Sequence, residues 1–296
     1  MQPITNIAIR AARRGGEVIL RQVDRVEHLR IQEKARHDFV SEVDRGAEQA
    51  ILEVIHSVYP DHAILAEESG LGGGAGEGLR WIIDPLDGTT NFLHGLPTFA
   101  VSVAFEAHGV LEVGVVLDPL RGELFVASRG EGALLNDRRV RVAKRTNLDE
   151  ALLGTGFPFR DFGDLDTYLG MFRTLLPRVA GIRRAGSAAL DLAYVAAGRL
   201  DGFFELGLKP WDTAAGILLI QEAGGFTESL RERASPLASG DLVSANPKLL
   251  SELRDLLAPW CRALSGPAVG QVLAPPGQEI GTVDTEHECR RTRDED

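Results

Sequence analysis

The chain has 296 residues, 44% hydrophobic and 25% charged, with a formal net charge of −11. This is an ordinary globular composition with ample length for a core, in one large domain or two packed ones. The acidic balance argues against non-specific binding to nucleic acid or anionic membranes. An enzyme of anionic substrates built on such a chain must recruit positive charge, and divalent metal is the natural source. Cys261 and Cys289 lie far apart without CxxC spacing, which fits a reducing compartment and offers neither a zinc site nor a disulfide framework. Met1-Gln2-Pro3-Ile4-Thr5-Asn6 lacks the basic start of a secretory signal, and no apolar run reaches membrane-spanning length. The expected location is therefore cytoplasmic.

Ile4, Ile7, Ala8, Ala11, Gly15, Val18 and Ile19 recur at helical spacing, so an amphipathic helix is predicted over 4–20. A second is predicted over 43–58, with Val43, Ala47, Ile51, Val54, Ile55 and Val58 on its inner face. Ser41 with Asp44 three residues on resembles a capping box at its start. Ala63–Ala66 is a short apolar strand running into Glu67-Glu68, and Gly72–Gly78 reads as a flexible loop. That loop is no dinucleotide fingerprint, because its spacing fails and a strand follows it.

Trp81-Ile82-Ile83-Asp84-Pro85-Leu86-Asp87-Gly88-Thr89-Thr90-Asn91-Phe92 carries the most information. The first three residues read as a buried strand, and Pro85, having no N–H to donate, is expected to stop its ladder. Asp84 and Asp87 then lie on a tight turn just beyond, followed by backbone N–H groups with little side-chain bulk. Carboxylates that gather a hard cation, next to bare N–H groups that cradle an anion, describe a site for Mg²⁺ and phosphate. Taken alone, the stretch fits an Asx-rich turn capping a helix equally well.

Thr98–Ala107, Val110–Asp118 and Gly122–Ser128 show period-two strands turned at His108-Gly109 and Pro119–Gly122, an antiparallel meander. After Ala151 the pattern alternates: strand Leu152–Thr155, helix Leu165–Val179, strand Gly181–Arg184, helix Ser187–Ala197, strand Asp201–Leu206, helix Thr213–Ala223. Gly224-Gly225 ends that last helix, a strand at Asp241–Ser244 follows, and a helix over Pro247–Leu264 opens on proline. An α+β half (1–150) thus precedes an α/β half (151–265), and 266–296 is expected to be a disordered tail.

Acids recur at strand ends and helix starts: Asp44, Glu67, Glu68, Glu205 and Asp212. Singly, Asp212 reads as a plain N-cap, Glu68 as solvated and Asp44 as the capping partner of Ser41. Together, Glu67-Glu68-Ser69, Asp84-Pro85-Leu86-Asp87-Gly88-Thr89-Thr90-Asn91-Phe92 and Trp211-Asp212-Thr213-Ala214-Ala215-Gly216 resemble the three signature segments of the inositol monophosphatase family. They come in order and at family spacing, over about residues 3–263. Gly156-Phe157-Pro158-Phe159 and Arg183-Arg184-Ala185-Gly186-Ser187 through Asp201-Gly202 bring it closest to the bacterial inositol-1-monophosphatases.

The resemblance implies a layered αβαβα sandwich and a Mg²⁺-dependent phosphomonoesterase acting on myo-inositol 1-phosphate. Histidinol phosphate, fructose 1,6-bisphosphate and a 3′-phosphonucleotide are rival substrates within the superfamily. It implies that Glu67, Asp84 and the Leu86 carbonyl hold one Mg²⁺, and that Asp84, Asp87 and Asp212 hold a second. Two metals about 3.5–4 Å apart clamp attacking and leaving oxygens, and all-oxygen ligation suits Mg²⁺. Thr89, oriented by Asp44, would position the attacking water, with Glu67 beside it, and the N–H groups of Gly88 and Thr89 would hold phosphate. Gly186, Ser187, Ala188, Glu205 and Asp212 would meet the polyol with Arg183 nearby; Arg183-Arg184 fit a phosphate contact and a dimer interface equally well, and Lys34 corresponds to a family lysine near a third metal. Lithium sensitivity and a homodimer are implied too. So is a possible partnership with RNA polymerase and antitermination proteins, made through protein surfaces and without direct contact to nucleic acid. His94 reads as structural or solvated, and Phe203, Phe204 and Trp211 as core.

Overall fold

The computed structural model describes residues 2–28, 31–35, 38–74, 78–158, 162–262 and 264. The expected tail at 266–296, Phe159 and the side chain of Lys34 lie outside the described residues. In chain order come α1 (Pro3–Leu20), the hairpin β1 (Ile31–Ala35) and β2 (Asp38–Ser41), α2 (Glu42–His56), β3 (Ala63–Ala66), β4 (Gly70–Gly73), β5 (Leu79–Asp87) and α3 (Thr89–Leu93). Next are β6 (Ala100–Ala107), β7 (Val110–Asp118), β8 (Glu123–Ser128), β9 (Gly132–Leu135), β10 (Arg138–Arg139), β11 (Leu152–Thr155), α4 (Leu165–Leu175), β12 (Gly181–Arg183) and α5 (Ala188–Ala196). The chain continues through β13 (Gly202–Glu205), α6 (Pro210–Glu222), β14 (Phe226–Ser229), α7 (Pro236–Ser239), β15 (Leu242–Ala245) and α8 (Pro247–Cys261).

Among the described residues an eight-stranded sheet runs β10-β9-β8-β7-β6-β5-β3-β4, and a five-stranded sheet runs β12-β11-β13-β15-β14. The first is antiparallel except where β3 lies parallel to β5. In the second, β11 is parallel to β12 and β13, while β15 is antiparallel to β13 and β14. The alternating half is therefore a mixed sheet and not an all-parallel one.

Strand periodicity sorts the side chains into three apolar layers. Trp81 and Ile83 face α1 and α2, joining Ile7, Ala11, Ile51 and Ile55. Ile82 faces the other way, packing with Leu190, Leu192, Leu218 and Leu219 of α5 and α6. On the second sheet Phe203 turns toward that middle layer, and Phe204 toward Tyr168, Met171, Leu249 and Leu253 of α4 and α8. The result is the αβαβα sandwich. α6 lies very close to the first sheet: a Cβ on Gly114 would come within 2.7 Å of the Ala215 carbonyl oxygen. Its face there is small because the approach demands it.

Several elements differ from their sequence expectation. Gly70–Gly73 pairs with β3 as an edge strand instead of beginning a loop. The helix expected to reach Val179 gives way after Leu175 to a 3-10 turn that contains Pro177, whose ring cannot continue an α-helix. No helix among the described residues is long and apolar enough to cross a membrane.

Candidate active site

β5 delivers the first carboxylates. Its ladder with β6 runs from Leu79 opposite Ala107 to Asp84 opposite Ser102, then shifts so that Asp87 faces Ala100. Pro85 occupies that bulge, where a missing N–H costs no ladder bond. The strand therefore continues through Pro85 to Asp87, correcting the expectation that proline would end it. Asp84 is buried, and one of its oxygens accepts the Leu86 N–H at 3.0 Å.

Gly88 follows with φ of 94° as the N-cap of α3. A Cβ here would sit 2.9 Å from the Thr98 carbonyl oxygen and 3.2 Å from that of Gly186, so only glycine fits. The Thr89 hydroxyl lies 2.9 Å from Asp44 Oδ1 and 3.0 Å from the Leu86 carbonyl oxygen, and donates into that pair. Asp44 is in turn held by the Ser41 N–H at 2.8 Å and the Ser41 hydroxyl at 2.6 Å, within a capping box at the start of α2. Burial pushes the Asp44 carboxyl up, against the pull of these hydrogen bonds.

Asp212 comes from the other side of the cleft. It is the third residue of α6, which begins at Pro210, and it accepts the Lys209 N–H at 2.7 Å. Oxygens of Asp84, Asp87 and Asp212 all lie within 4.8 Å of one another. Burial raises the Asp84 carboxyl well above its usual range, and the charges of Glu67, Asp87 and Asp212 push the same way. Clustered carboxylates with purely oxygen donors, Asp84 and Asp212 buried and Asp87 half-buried, are what a hard divalent cation needs, so the donor set fits Mg²⁺. Glu67 and Leu86 line the same cleft, and the Glu67 N–H is fixed to the Ile83 carbonyl at 3.1 Å.

Asp87 also ties β5 to the start of α5. One of its oxygens accepts the Ser187 hydroxyl at 2.6 Å and the Ala189 N–H at 2.7 Å, at the start of α5. Nearby, the Asn91 amide donates to the carbonyls of Thr98 at 2.7 Å and Ala185 at 2.9 Å. These bonds bring Gly186, Ser187 and Ala188 to the cleft of about 220 Å³ that Glu205 and Asp212 also line. Glu205 is buried and raised well above its usual range by desolvation, then by Asp191, Asp212 and Asp87; Arg184 pulls it down.

Most of the residues singled out in the sequence thus share one cleft, with Asp44 one hydrogen bond behind Thr89. Arg183 does not join them. It is exposed at the end of β12, bonded to the Ile182 carbonyl at 3.1 Å, and the next residue, Arg184, lines the cleft instead. Arg184 lies just past the end of β12, in the segment that leads to Gly186. Asp191 was missed. It lies in α5 between Leu190 and Leu192 and lines the cleft, and burial raises its carboxyl well above the usual range. An acid inside an otherwise apolar helix was the signal. His94 is exposed, while Phe203 and Phe204 are core.

A sequence profile of the inositol monophosphatase family matches residues 1–259. The chain belongs to this family. It is 55% identical over 263 residues to the Nus factor SuhB of Pseudomonas aeruginosa, covering 88% of this chain and 97% of that one. The crystal structure of the extragenic suppressor protein suhB from Bartonella henselae superposes with a TM-score of 0.83 at 42% identity, covering 86% and 98% of the two chains. An inositol monophosphatase from Anabaena gives 0.76 at 38% identity, covering 86% and 94%. Inositol monophosphatase family members use divalent metals, typically Mg²⁺, and membership supports a Mg²⁺-dependent phosphatase.

Proposed function

We propose that the protein hydrolyses myo-inositol 1-phosphate to inositol and phosphate. The observation that carries this reading is the convergence of Asp84, Asp87 and Asp212 within 4.8 Å beside a Thr89–Asp44 hydrogen bond of 2.9 Å. Glu67, Asp84 and the Leu86 carbonyl would hold one Mg²⁺, and Asp84, Asp87 and Asp212 a second. Bound there, the ions supply Lewis-acid charge to the phosphoryl oxygens and acidify water.

The chain's own residues orient the reaction. With its proton committed to Asp44 or Leu86, Thr89 Oγ1 presents a lone pair that accepts from the attacking water and aims it. The N–H groups of Gly88 and Thr89, at the start of α3, take phosphate oxygens. Glu205, Asp212 and the Gly186–Ala188 segment receive the polyol hydroxyls, and Arg184 takes the place the sequence reading had given to Arg183. A homodimer, inhibition by Li⁺ and a cytoplasmic location go with this reading.

The name of the Pseudomonas relative, Nus factor, favours a second role as a partner of RNA polymerase and antitermination proteins. Such a role would run through exposed protein surface. Purified protein tested on inositol 1-phosphate, histidinol phosphate, fructose 1,6-bisphosphate and a 3′-phosphonucleotide should favour the first in kcat/KM and fall silent in EDTA. Activity undiminished in EDTA, or none on inositol 1-phosphate with Mg²⁺, would sink the enzymatic reading. To separate the roles, a deletion strain carrying only Asp87→Asn is compared with one carrying the wild type. Rescue by the inactive variant marks the partner role as the one the cell needs.

A further inference from the structure

α2 carries a second buried acid one turn beyond Asp44. Glu48 is 4% exposed, and its Oε2 accepts the Glu68 N–H at 2.9 Å. Residues four apart share a helix face, so one face of α2 serves two segments of the site: Asp44 holds Thr89, and Glu48 holds the turn after Glu67. That turn is where the chain leaves the sheet. The Glu67 N–H still bonds the Ile83 carbonyl of β5 at 3.1 Å, whereas the next N–H turns to a side chain. The backbone on both sides of Glu67 is therefore pinned, one peptide by a strand and the next by a helix. Burying a carboxylate is costly unless it is hydrogen-bonded, and a bond from N–H to an ionised acceptor is among the stronger ones.

We propose that Glu48 is a positioning residue that fixes the Glu67–Glu68 turn so that Glu67 meets the metal already oriented. The inference rests on the reading of Glu67 as a metal ligand. Outer-shell partners of ligands typically contribute 10–100-fold in metal affinity. Glu48 acts here on a ligand's backbone, and removing it leaves the donor count intact.

Two measurements on the full chain test this. In the metal-free wild type, hydrogen exchange should find the Glu68 N–H protected. Glu48→Leu, which fills the site without an acceptor, should lose that protection and bind Mn²⁺ at least ~10-fold more weakly by titration. Glu48→Gln, which keeps a carbonyl oxygen for the same N–H, should retain the protection and most of the affinity. A purely structural role would lower the melting temperature of the Leu variant while leaving Mn²⁺ affinity in the folded protein unchanged, and that result overturns the proposal. So does a freely exchanging Glu68 amide in the wild type, whether or not the variants fold. A wild type that binds no Mn²⁺ overturns the metal reading and the proposal with it, a failure distinguishable because Glu68 protection is read without metal.

Discussion

The two walls of the cleft are built on different principles. The wall from β5, α3 and α2 is a chain of hydrogen bonds, from Ser41 through Asp44 to Thr89 and Leu86, with Glu48 holding the Glu67–Glu68 turn. The opposite wall, from β13, α5 and residues 155–158, gathers acids whose carboxyls are raised by burial, Glu205 and Asp191, beside Arg184. Asp87 joins the walls through Ser187 and Ala189. The first wall has its geometry fixed before any ligand arrives, as a metal and phosphate site requires. The second offers acceptors and one guanidinium to whatever alcohol carries the phosphate. On the proposed function, the reaction chemistry would fall to the first wall together with Asp212, and the choice of leaving group to Glu205 and Arg184 of the second.

The comparison breaks hardest at the seam. Asp87→Asn keeps the shape and an acceptor for Ser187 but removes ligand charge. Turnover should fall at least ~100-fold with the melting curve little changed, since even outer-shell losses reach 10–100-fold. Full turnover in this variant would refute the two-metal arrangement. Gly88→Ala acts mainly on the first wall, although its new Cβ would also approach the Gly186 carbonyl at 3.2 Å. Its φ of 94° and the Thr98 carbonyl 2.9 Å from the new Cβ leave no room. A stability loss of about 1–3 kcal/mol in denaturant titration is expected from the conformation alone. A variant as stable as the wild type would show that the loop can yield.

Much of this was legible. α1, α2, the meander and α8 follow from periodicity, and the acids that converge in the cleft from motif segments whose residue types suit one chemistry. What stayed hidden depended on tertiary context. Pro85 lies in a strand because a bulge absorbs it. β4 has three glycines in four residues and so no apolar signature. Arg183 and Arg184 differ by one step along the chain, and nothing local tells which faces inward. Glu48 sits in a helix rich in charge, where an acid reads as solvated; only the proximity of Glu68 gives it a task.

The second wall is tested by a specificity split. Glu205→Gln replaces the carboxyl that would meet the polyol hydroxyls, and leaving a buried hydrogen bond unmade costs about 1–3 kcal/mol. KM for inositol 1-phosphate should therefore rise by roughly 10-fold or more. kcat/KM for p-nitrophenyl phosphate, whose leaving group has no other hydroxyl, should barely move. Equal losses on both substrates would place Glu205 in the reaction chemistry and erase the distinction between the walls.

The smallest expected effect concerns stability. Burial raises the Asp191 carboxyl well above the 3.8 of an unperturbed aspartate, the charge of Asp87 adds to the rise, and Arg184 offsets part of it. Below pH 3.8 both folded and unfolded chains hold the proton, and the group imposes no penalty. As pH climbs from there toward the raised folded value, the unfolded chain ionises first, binds fewer protons and gains on the native state. Stability is lost through that window at up to about 1.4 kcal/mol per pH unit for one group, and the penalty is constant above it. Asp191→Asn keeps the shape and cannot ionise. Its melting temperature should match the wild type at low pH and exceed it progressively as pH rises. Parallel curves for wild type and Asp191→Asn would mean that this acid is ionised without cost.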